Sequence, residues 1–229
     1  MKNTNSAKIT NMVTLALGIV NTIAAVPAIL SLPEKVPTHF DAKYVCDGIG
    51  SRWSLLVIAV IPLIMSLILT IPIKLSMKQQ PKVLAITSLV CTLFFCAVFW
   101  LLYPIAASDI QIGDKLDKSP FTAFLPMLFS ALFIVLGNYM PVVKHNRFFG
   151  LRIKWTLDNP QCWKVTHRFM GKVMVITGVI SFIISIAFCA FGITNIIVEI
   201  VTVLLMTAIT IVFSTLYAYK HKSDKLLSK

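Results

Sequence analysis

The sequence predicts an all-α membrane protein: a polytopic helical bundle of about six transmembrane helices, with both termini in the cytoplasm. Hydrophobic residues make up 57% of the 229 residues and charged residues only 13%, whereas soluble domains carry about 25% charged residues. The mean hydropathy is +0.84, and the apolar residues are grouped into long runs. This length accommodates one membrane domain and leaves no room for a separate soluble domain.

Six apolar stretches are long enough to cross the hydrocarbon core, which takes about 20 residues in a helix. They cover residues 11–30, 54–73, 83–107, 121–140, 173–191 and 195–219. The first stretch also has the flanking lysines and small residues of a signal peptide. Its apolar run continues to Leu30, so we expect a retained helix, with cleavage as the alternative. We divide the chain into two three-helix halves, residues 1–107 and residues 108–229.

The distribution of Lys and Arg predicts the orientation. Cytoplasmic loops of membrane proteins carry an excess of these residues. Sixteen of the 21 basic residues fall in one alternate set of loops and at the termini, and five fall in the other set. We therefore place the basic loops, both termini and the loop 141–172 in the cytoplasm of a cell bounded by its plasma membrane. The net charge of +12 then indicates contact with anionic lipid headgroups rather than direct binding of nucleic acid.

The first outer loop has an unusual composition. Its distinctive residues are Pro37, Thr38, His39, Asp41, Asp47, Gly48 and Gly50. Prolines at 33 and 37 predict a stiff, extended start, and Gly48 and Gly50 predict a tight turn after Asp47 that leads back to the membrane. His39, Asp41, Cys46 and Asp47 are metal-ligand types, but a metal needs three or four of them at set distances. We expect a rigid loop with a hydrogen-bonded histidine and no bound metal.

The long inner loop also has distinctive residues. They are Asn138, Pro141, Asn146, Gly150, Arg152, Trp155, Thr156, Trp163, Thr166, His167, Arg168 and Gly171. Seven basic residues stand against one acidic residue here, which favours anionic headgroups, and tryptophan suits the membrane interface. Thr156 or Asp158 as a cap before Pro160 predicts a helix start, followed by a short amphipathic helix over 161–169 lying on the membrane. The alternative, a solvated basic loop, accounts for the charges only.

At these two loops the chain resembles a known family. Residues 137–141, 150–152, 155–157 and 163–168 resemble the SdpI family, bacterial membrane proteins whose namesake gives immunity to a secreted sporulation-delaying toxin. Residues 37–41 and 47–51 resemble a module that often precedes the SdpI segment in longer relatives. The chain departs from the family pattern at Ile153-Lys154, where relatives usually have Thr-Pro, and at Tyr44, where a small residue, often Gly, is usual.

The resemblance implies an integral membrane immunity protein that acts against a membrane-active peptide toxin. The toxin-facing surface would then comprise the seven outer-loop residues named above together with Glu199, an acidic residue inside the last apolar stretch. The resemblance also implies that a small helix-turn-helix autorepressor docks on the inner loop. The partners expected are therefore membrane lipids, a secreted peptide and this repressor.

Three other classes of function are alternatives. A transporter needs polar groups at the bilayer midplane, and the stretches offer only Asn21, Ser and Thr residues and the shallow Glu199. A signalling receptor without immunity activity is a further alternative. An enzyme needs its acid or base groups in one place, but His39 and His167 are predicted on opposite faces of the membrane. We therefore expect no catalysis and no cofactor.

Overall fold

The computed structural model describes residues 2–75, 81–116, 121–146, 149–191 and 196–223. Helix α1 (Lys2–Leu30) is followed by a β-hairpin of strands β1 (Lys35–Phe40) and β2 (Cys46–Ser51). The remaining elements are α2 (Ser54–Leu75), α3 (Pro81–Ala106), α4 (Phe121–Tyr139), a 3₁₀ turn (Met140–Val142), α5 (Lys154–Asp158), α6 (Pro160–Ala190) and α7 (Ile196–Lys220).

Six of the helices correspond to the six predicted stretches. Over the described residues, α1, α3, α4, α6 and α7 are long and apolar enough to cross a membrane. Helix α2 is apolar over Ser54–Ile68 and continues to Leu75, a length of about 33 Å at 1.5 Å per residue. The predicted polytopic helical bundle is therefore confirmed, with one small β-hairpin added to it.

The helices pack in two groups of three. Helices α1, α2 and α3 contact one another, α6 contacts both α4 and α7, and α3 contacts α4. Asn21 joins the first three helices: its amide nitrogen donates to the Ala59 carbonyl (3.0 Å) and its amide oxygen accepts from the Trp100 indole N–H (3.0 Å). These bonds satisfy a polar side chain that burial would otherwise penalise.

An apolar cluster lies at each end of the bundle. One cluster, at the end that carries the hairpin, includes Ile29, Val36, Leu55, Phe99 and Ala106. The other, at the opposite end, consists of Met140, Val143, Trp163, Met170 and Met174. We call these the hairpin end and the basic end. At both ends loop residues pack into the helical core, so these loops are parts of the folded bundle.

The extended start predicted for the first outer loop is confirmed by β1, but the predicted turn was placed at the wrong residues. The loop is a hairpin whose strands pair antiparallel from Lys35↔Ser51 to Phe40↔Cys46, with irregularities around His39. The chain reverses between the strands, and Tyr44 there has a φ of +63°. Gly48 and Gly50 instead lie inside β2. The prediction failed because it assigned the glycines to a turn, whereas they allow the close approach of the paired strand.

The predicted short helix over 161–169 was also wrong. Residues 160–190 form one continuous helix, α6, about 46 Å long, which exceeds the hydrocarbon thickness by several turns. Its N-cap is Asn159, whose side chain accepts from the backbone N–H groups of Gln161 and Cys162, and Pro160 occupies the first turn. The predicted caps, Thr156 and Asp158, belong to the preceding helix α5.

Candidate functional site

Asp41 organises the reversal of the hairpin. One of its carboxylate oxygens accepts from the backbone N–H groups of Lys43 and Val45, each at 2.8 Å, and its own N–H donates to the Val45 carbonyl (2.8 Å). The Val45 bond is the largest influence holding the pKa of Asp41 below its usual value, because a hydrogen bond to the charged form favours ionisation. Asp41 is therefore a structural anion at the tip of the hairpin.

The side chains of His39 and Asp47 are hydrogen-bonded across the hairpin. Nδ1 of His39 contacts Oδ1 of Asp47, and their side chains are 71% and 49% exposed. Such an exposed pair contributes little to stability. The pair is therefore available at the surface to meet a partner.

The two glycines of β2 accommodate the opposite strand. A Cβ on Gly48 would lie 2.8 Å from the Cβ of His39, and a Cβ on Gly50 would lie 2.8 Å from Cγ2 of Thr38. Thr38 also donates its hydroxyl to the Gly48 carbonyl (3.2 Å). The absence of side chains at 48 and 50 thus places Thr38 and His39 in their observed positions.

A second segment pairs with the hairpin. The loop after α3 exchanges backbone bonds with Cys46, which donates to the Asp114 carbonyl and accepts from the Gly113 N–H, both at 2.8 Å. The Leu116 N–H donates to the Tyr44 carbonyl (2.8 Å). Arg52 joins the hairpin to α1 by donating to the carbonyls of Leu30 (3.1 Å) and Leu32 (2.8 Å). The hairpin is therefore fixed by neighbours on both sides.

The structure brings together seven of the eight predicted toxin-facing residues, because all seven lie in the hairpin or its turn. The eighth, Glu199, is in helix α7, and its side chain lies outside the described part of the structure. Sequence reasoning missed Arg52 as an anchor, since a single arginine after a glycine-rich strand gives no recognisable signal.

At the basic end, His167 and Trp163 form the centre of the inner loop. Both side chains are fully buried. The Trp163 indole N–H donates to the Val143 carbonyl (2.8 Å). Nε2 of His167 accepts from the Leu151 N–H (3.1 Å), and Nδ1 donates to the Trp163 carbonyl (2.9 Å). This bonding requires a neutral imidazole with its proton on Nδ1.

Gly150 allows the loop to pass over His167. Its φ is +112°, and a Cβ at this position would lie 2.2 Å from Nε2 of His167. A side chain is therefore excluded twice, by the backbone conformation and by the space available. The predicted loop residues Gly150, Trp163 and His167 act as one packed unit.

Other predicted loop residues shape the backbone around this unit. The buried Thr156 hydroxyl donates to the Leu151 carbonyl (2.7 Å) and accepts from the Ile153 N–H (3.2 Å). The Asn146 side chain accepts from the Phe149 N–H (2.7 Å) and donates to the Lys144 carbonyl (2.9 Å). These are the local side-chain bonds by which Asn and Thr stabilise turns.

The loop is also attached to the end of α7. Asn159 donates its amide to the Lys222 carbonyl (3.2 Å), and the buried Cys162 thiol donates to the Ala218 carbonyl (3.4 Å). Trp155 packs edge-on against Tyr219 with 5.0 Å between ring centroids. Thr166 is buried, and its hydroxyl lies 3.8 Å from the Cys162 sulfur. Sequence reasoning missed Asn159 as the cap, although Asn before Pro is a helix-start signal.

Helices α4 and α6 approach closely beneath the loop. A Cβ on Gly171 would lie 2.6 Å from the Gly137 carbonyl oxygen and 2.8 Å from Cδ of Pro141. Small residues at such a crossing let two backbones pack in contact. Asn138, one residue after Gly137, is exposed on α4.

The exposed side chains of the basic end are mainly cations. Lys164, Arg168 and Lys172 are exposed on α6 at four-residue spacing, so they share one helical face. Arg152 and Lys154 are exposed nearby. In the part of the chain that the structure describes, no group of three His, Cys, Asp or Glu side chains is placed to hold a metal ion. The basic end can therefore attract anions, either headgroups or an acidic protein surface.

Comparisons with known proteins find a match in each half of the chain. Residues 142–218 match the family model for the SdpI/YfhL protein family, and residues 16–68 match a domain of unknown function, DUF1648. The chain is 25% identical over 213 residues to the "Immunity protein SdpI" of Bacillus subtilis (strain 168), covering 92% of this chain and 95% of that protein. No solved structure matches the chain.

The matched segments correspond to structural units. The DUF1648 match covers the second half of α1, the hairpin and much of α2, and the SdpI/YfhL match runs from the end of the 3₁₀ turn into α7. Together with the apolar helices, the similarity to a relative over nearly its whole length identifies a multi-pass protein of the plasma membrane. In its second half the chain is thus similar to the SdpI/YfhL protein family, and in its first half to DUF1648.

Proposed function

We propose that this chain is a membrane immunity protein that protects its cell against a secreted, membrane-active peptide toxin. The observation that carries the proposal is the similarity to an immunity protein across both ends of the bundle. The hairpin supports the same function, because it holds Thr38 and the exposed His39–Asp47 pair on a rigid frame. A preformed surface of this kind binds a partner at a lower entropic cost than a mobile loop.

In this proposal the role is recognition, without a catalytic step. The two histidines considered above as catalytic candidates, His39 and His167, lie at opposite ends of the bundle. His167 is enclosed by Trp163 and the Leu151 N–H, so a substrate has no access to its ring nitrogens. The Asn21 side chain, on which a transporter would depend, is hydrogen-bonded to the Ala59 carbonyl and the Trp100 indole.

Protection is the direct test. A sensitive bacterium expressing the chain would be exposed to the sporulation-delaying toxin, and membrane potential and survival would be followed. We expect protection by the natural sequence and its loss when residues 37–41 are scrambled. Ile112→Ala, a change at an exposed residue of the same end, is the control and should protect fully. Absence of protection despite verified membrane insertion would refute the immunity function for this toxin.

A second function is favoured by the basic end. We propose that the face formed by Lys164, Arg168 and Lys172 holds a small autorepressor at the membrane. Replacing these three residues by Gln should release a fluorescently labelled repressor from the membrane. Replacing Lys8, Lys82 and Lys220 by Gln removes the same charge from exposed positions outside the inner loop and should leave the repressor bound. Equal release by both triple variants would indicate nonspecific attraction only.

A further inference from the structure

A cavity of about 360 Å³ lies beneath the hairpin. Val36, Pro37 and Phe40 of β1 form its roof, and Leu55 and Ile58 of α2 form one wall. This volume falls within the range of small-molecule binding sites. Pro37 and Thr38 line this cavity and also belong to the predicted toxin-facing set, whereas the exposed His39–Asp47 pair does not line it.

The cavity continues across the neighbouring helices. Leu102 and Ile105 near the end of α3 and Leu125 near the start of α4 also line it, and α3 packs against both α2 and α4. The lining is almost entirely aliphatic and aromatic, and its hydroxyls include those of Thr38 and Ser54. Apolar walls of this kind offer water few hydrogen-bond partners, and an empty cavity forfeits the dispersion contacts of its walls.

The depth of the cavity indicates what fills it. Helix α2 begins at Ser54 and is about as long as the hydrocarbon core is thick. Ser54 therefore lies close to the headgroup boundary, with Leu55 and Ile58 just below it. A phospholipid has the same order of groups at this level, with polar ester oxygens above and an apolar chain below.

We propose that this cavity binds an acyl chain of a phospholipid from the leaflet on the hairpin side. The acyl chain enters beneath the hairpin and packs against Leu55, Ile58 and Leu125. The hydroxyls of Thr38 and Ser54 face the ester region of the lipid. The bound lipid thereby supports the hairpin from below. This inference does not depend on the immunity function.

Photochemical labelling tests the site. The full chain would be reconstituted in vesicles of phosphatidylethanolamine and phosphatidylglycerol that include a phospholipid with a diazirine on an upper acyl carbon. After irradiation, mass spectrometry would locate the adducts. We expect adducts on the segment of α3 that carries Leu102 and Ile105, in addition to the labelling of outward-facing residues by bulk lipid. Adducts at outward-facing residues alone would overturn the proposal.

Matched variants separate a bound lipid from bulk lipid. Ile58→Trp fills the cavity and should reduce the α3 adducts about tenfold, whereas Val57→Trp places the same ring on an adjacent side chain that is 69% exposed and should not. If Ile58→Trp fails to fold, Leu125→Trp serves the same purpose. Unchanged α3 adducts in a folded, filled variant would refute lipid binding. If the α3 adducts are unchanged but the filled variant no longer protects cells against the toxin, lipid binding is also refuted and the cavity is assigned to the toxin.

Discussion

The imidazole of His167 stacks on the indole of Trp163, with 3.9 Å between ring centroids and 17° between ring planes. The two residues are four apart in α6 and so project from the same face. Each ring binds a different part of the preceding loop, Trp163 through the Val143 carbonyl and His167 through the Leu151 N–H. The first turns of α6 therefore hold the inner loop in its folded shape.

Replacement of His167 by Ala should destabilise the protein by about 2–4 kcal/mol, because it leaves a cavity and deprives the Leu151 N–H of its acceptor. Thermal or denaturant unfolding in detergent micelles would measure the loss. His145→Ala is the control, since His145 is exposed and its Nε2 donates a single bond to the Leu157 carbonyl. Equal losses for both variants would contradict the central role of the stacked pair.

Gly150→Ala should cost about 3 kcal/mol or more, because it combines backbone strain with displacement of the His167 ring. Gly113→Ala provides the matched control: Gly113 also has a positive φ, +92°, but nothing lies within 4 Å of a Cβ added there. This control should lose about 1–2 kcal/mol from strain alone. The difference between the two unfolding free energies measures the clash, and a difference near zero would refute it.

Gly171→Ala should weaken the α4–α6 contact by about 1–3 kcal/mol, as overpacking of a close interface does. The added methyl group would meet the Gly137 carbonyl and Pro141. Val179→Ile adds one methylene to an exposed residue of the same helix and should change stability by less than about 0.5 kcal/mol. Comparable unfolding temperatures for the two variants would argue against the close crossing.

The hairpin turn should loosen in acid. The folded-state pKa of Asp41 is held below its ordinary value of 3.8, chiefly by the Val45 N–H. Its contribution is therefore complete above that value and is lost as the pH falls through the lower folded-state pKa. Hydrogen exchange at Val45, corrected for the intrinsic effect of pH, would report the loosening.

Asp41→Asn is the control for this pH effect. Its amide oxygen still accepts hydrogen bonds but does not titrate, so the protection of Val45 should become independent of pH in the acid range. A variant that retains the full acid-induced loosening would show that another group is responsible.

The sequence identifies both loops as distinctive segments but does not reveal the roles of their glycines. The outer and inner loops were identified by the unusual density of Pro, Gly, His and Trp, and the structure folds both into the bundle. The positions of individual glycines were not predicted correctly. Gly48 and Gly50 look like turn residues, but their role is to admit the side chains of His39 and Thr38 from the paired strand. That role depends on strand register, which a single segment does not contain.

Tyr44 combines a strained backbone conformation with a buried ring. The family pattern usually has a small residue at this position, and the structure gives Tyr44 a φ of +63°, a conformation that glycine adopts at low cost. The tyrosine is nevertheless 93% buried, with a relative exposure of 7%, and it lines the cavity beneath the hairpin. Packing of the ring offsets the backbone strain, which no local propensity could have indicated.

The sequence by itself determined the class of protein, the six apolar helices and the charge asymmetry between their ends, because these depend on composition and on runs of about 20 residues. Only the tertiary structure decided that the outer loop is a hairpin, that α6 is one continuous helix, and that His167, Trp163 and Gly150 meet. These features arise from contacts between residues distant along the chain. Such contacts depend on the packing of several elements at once, and no single stretch of sequence specifies them.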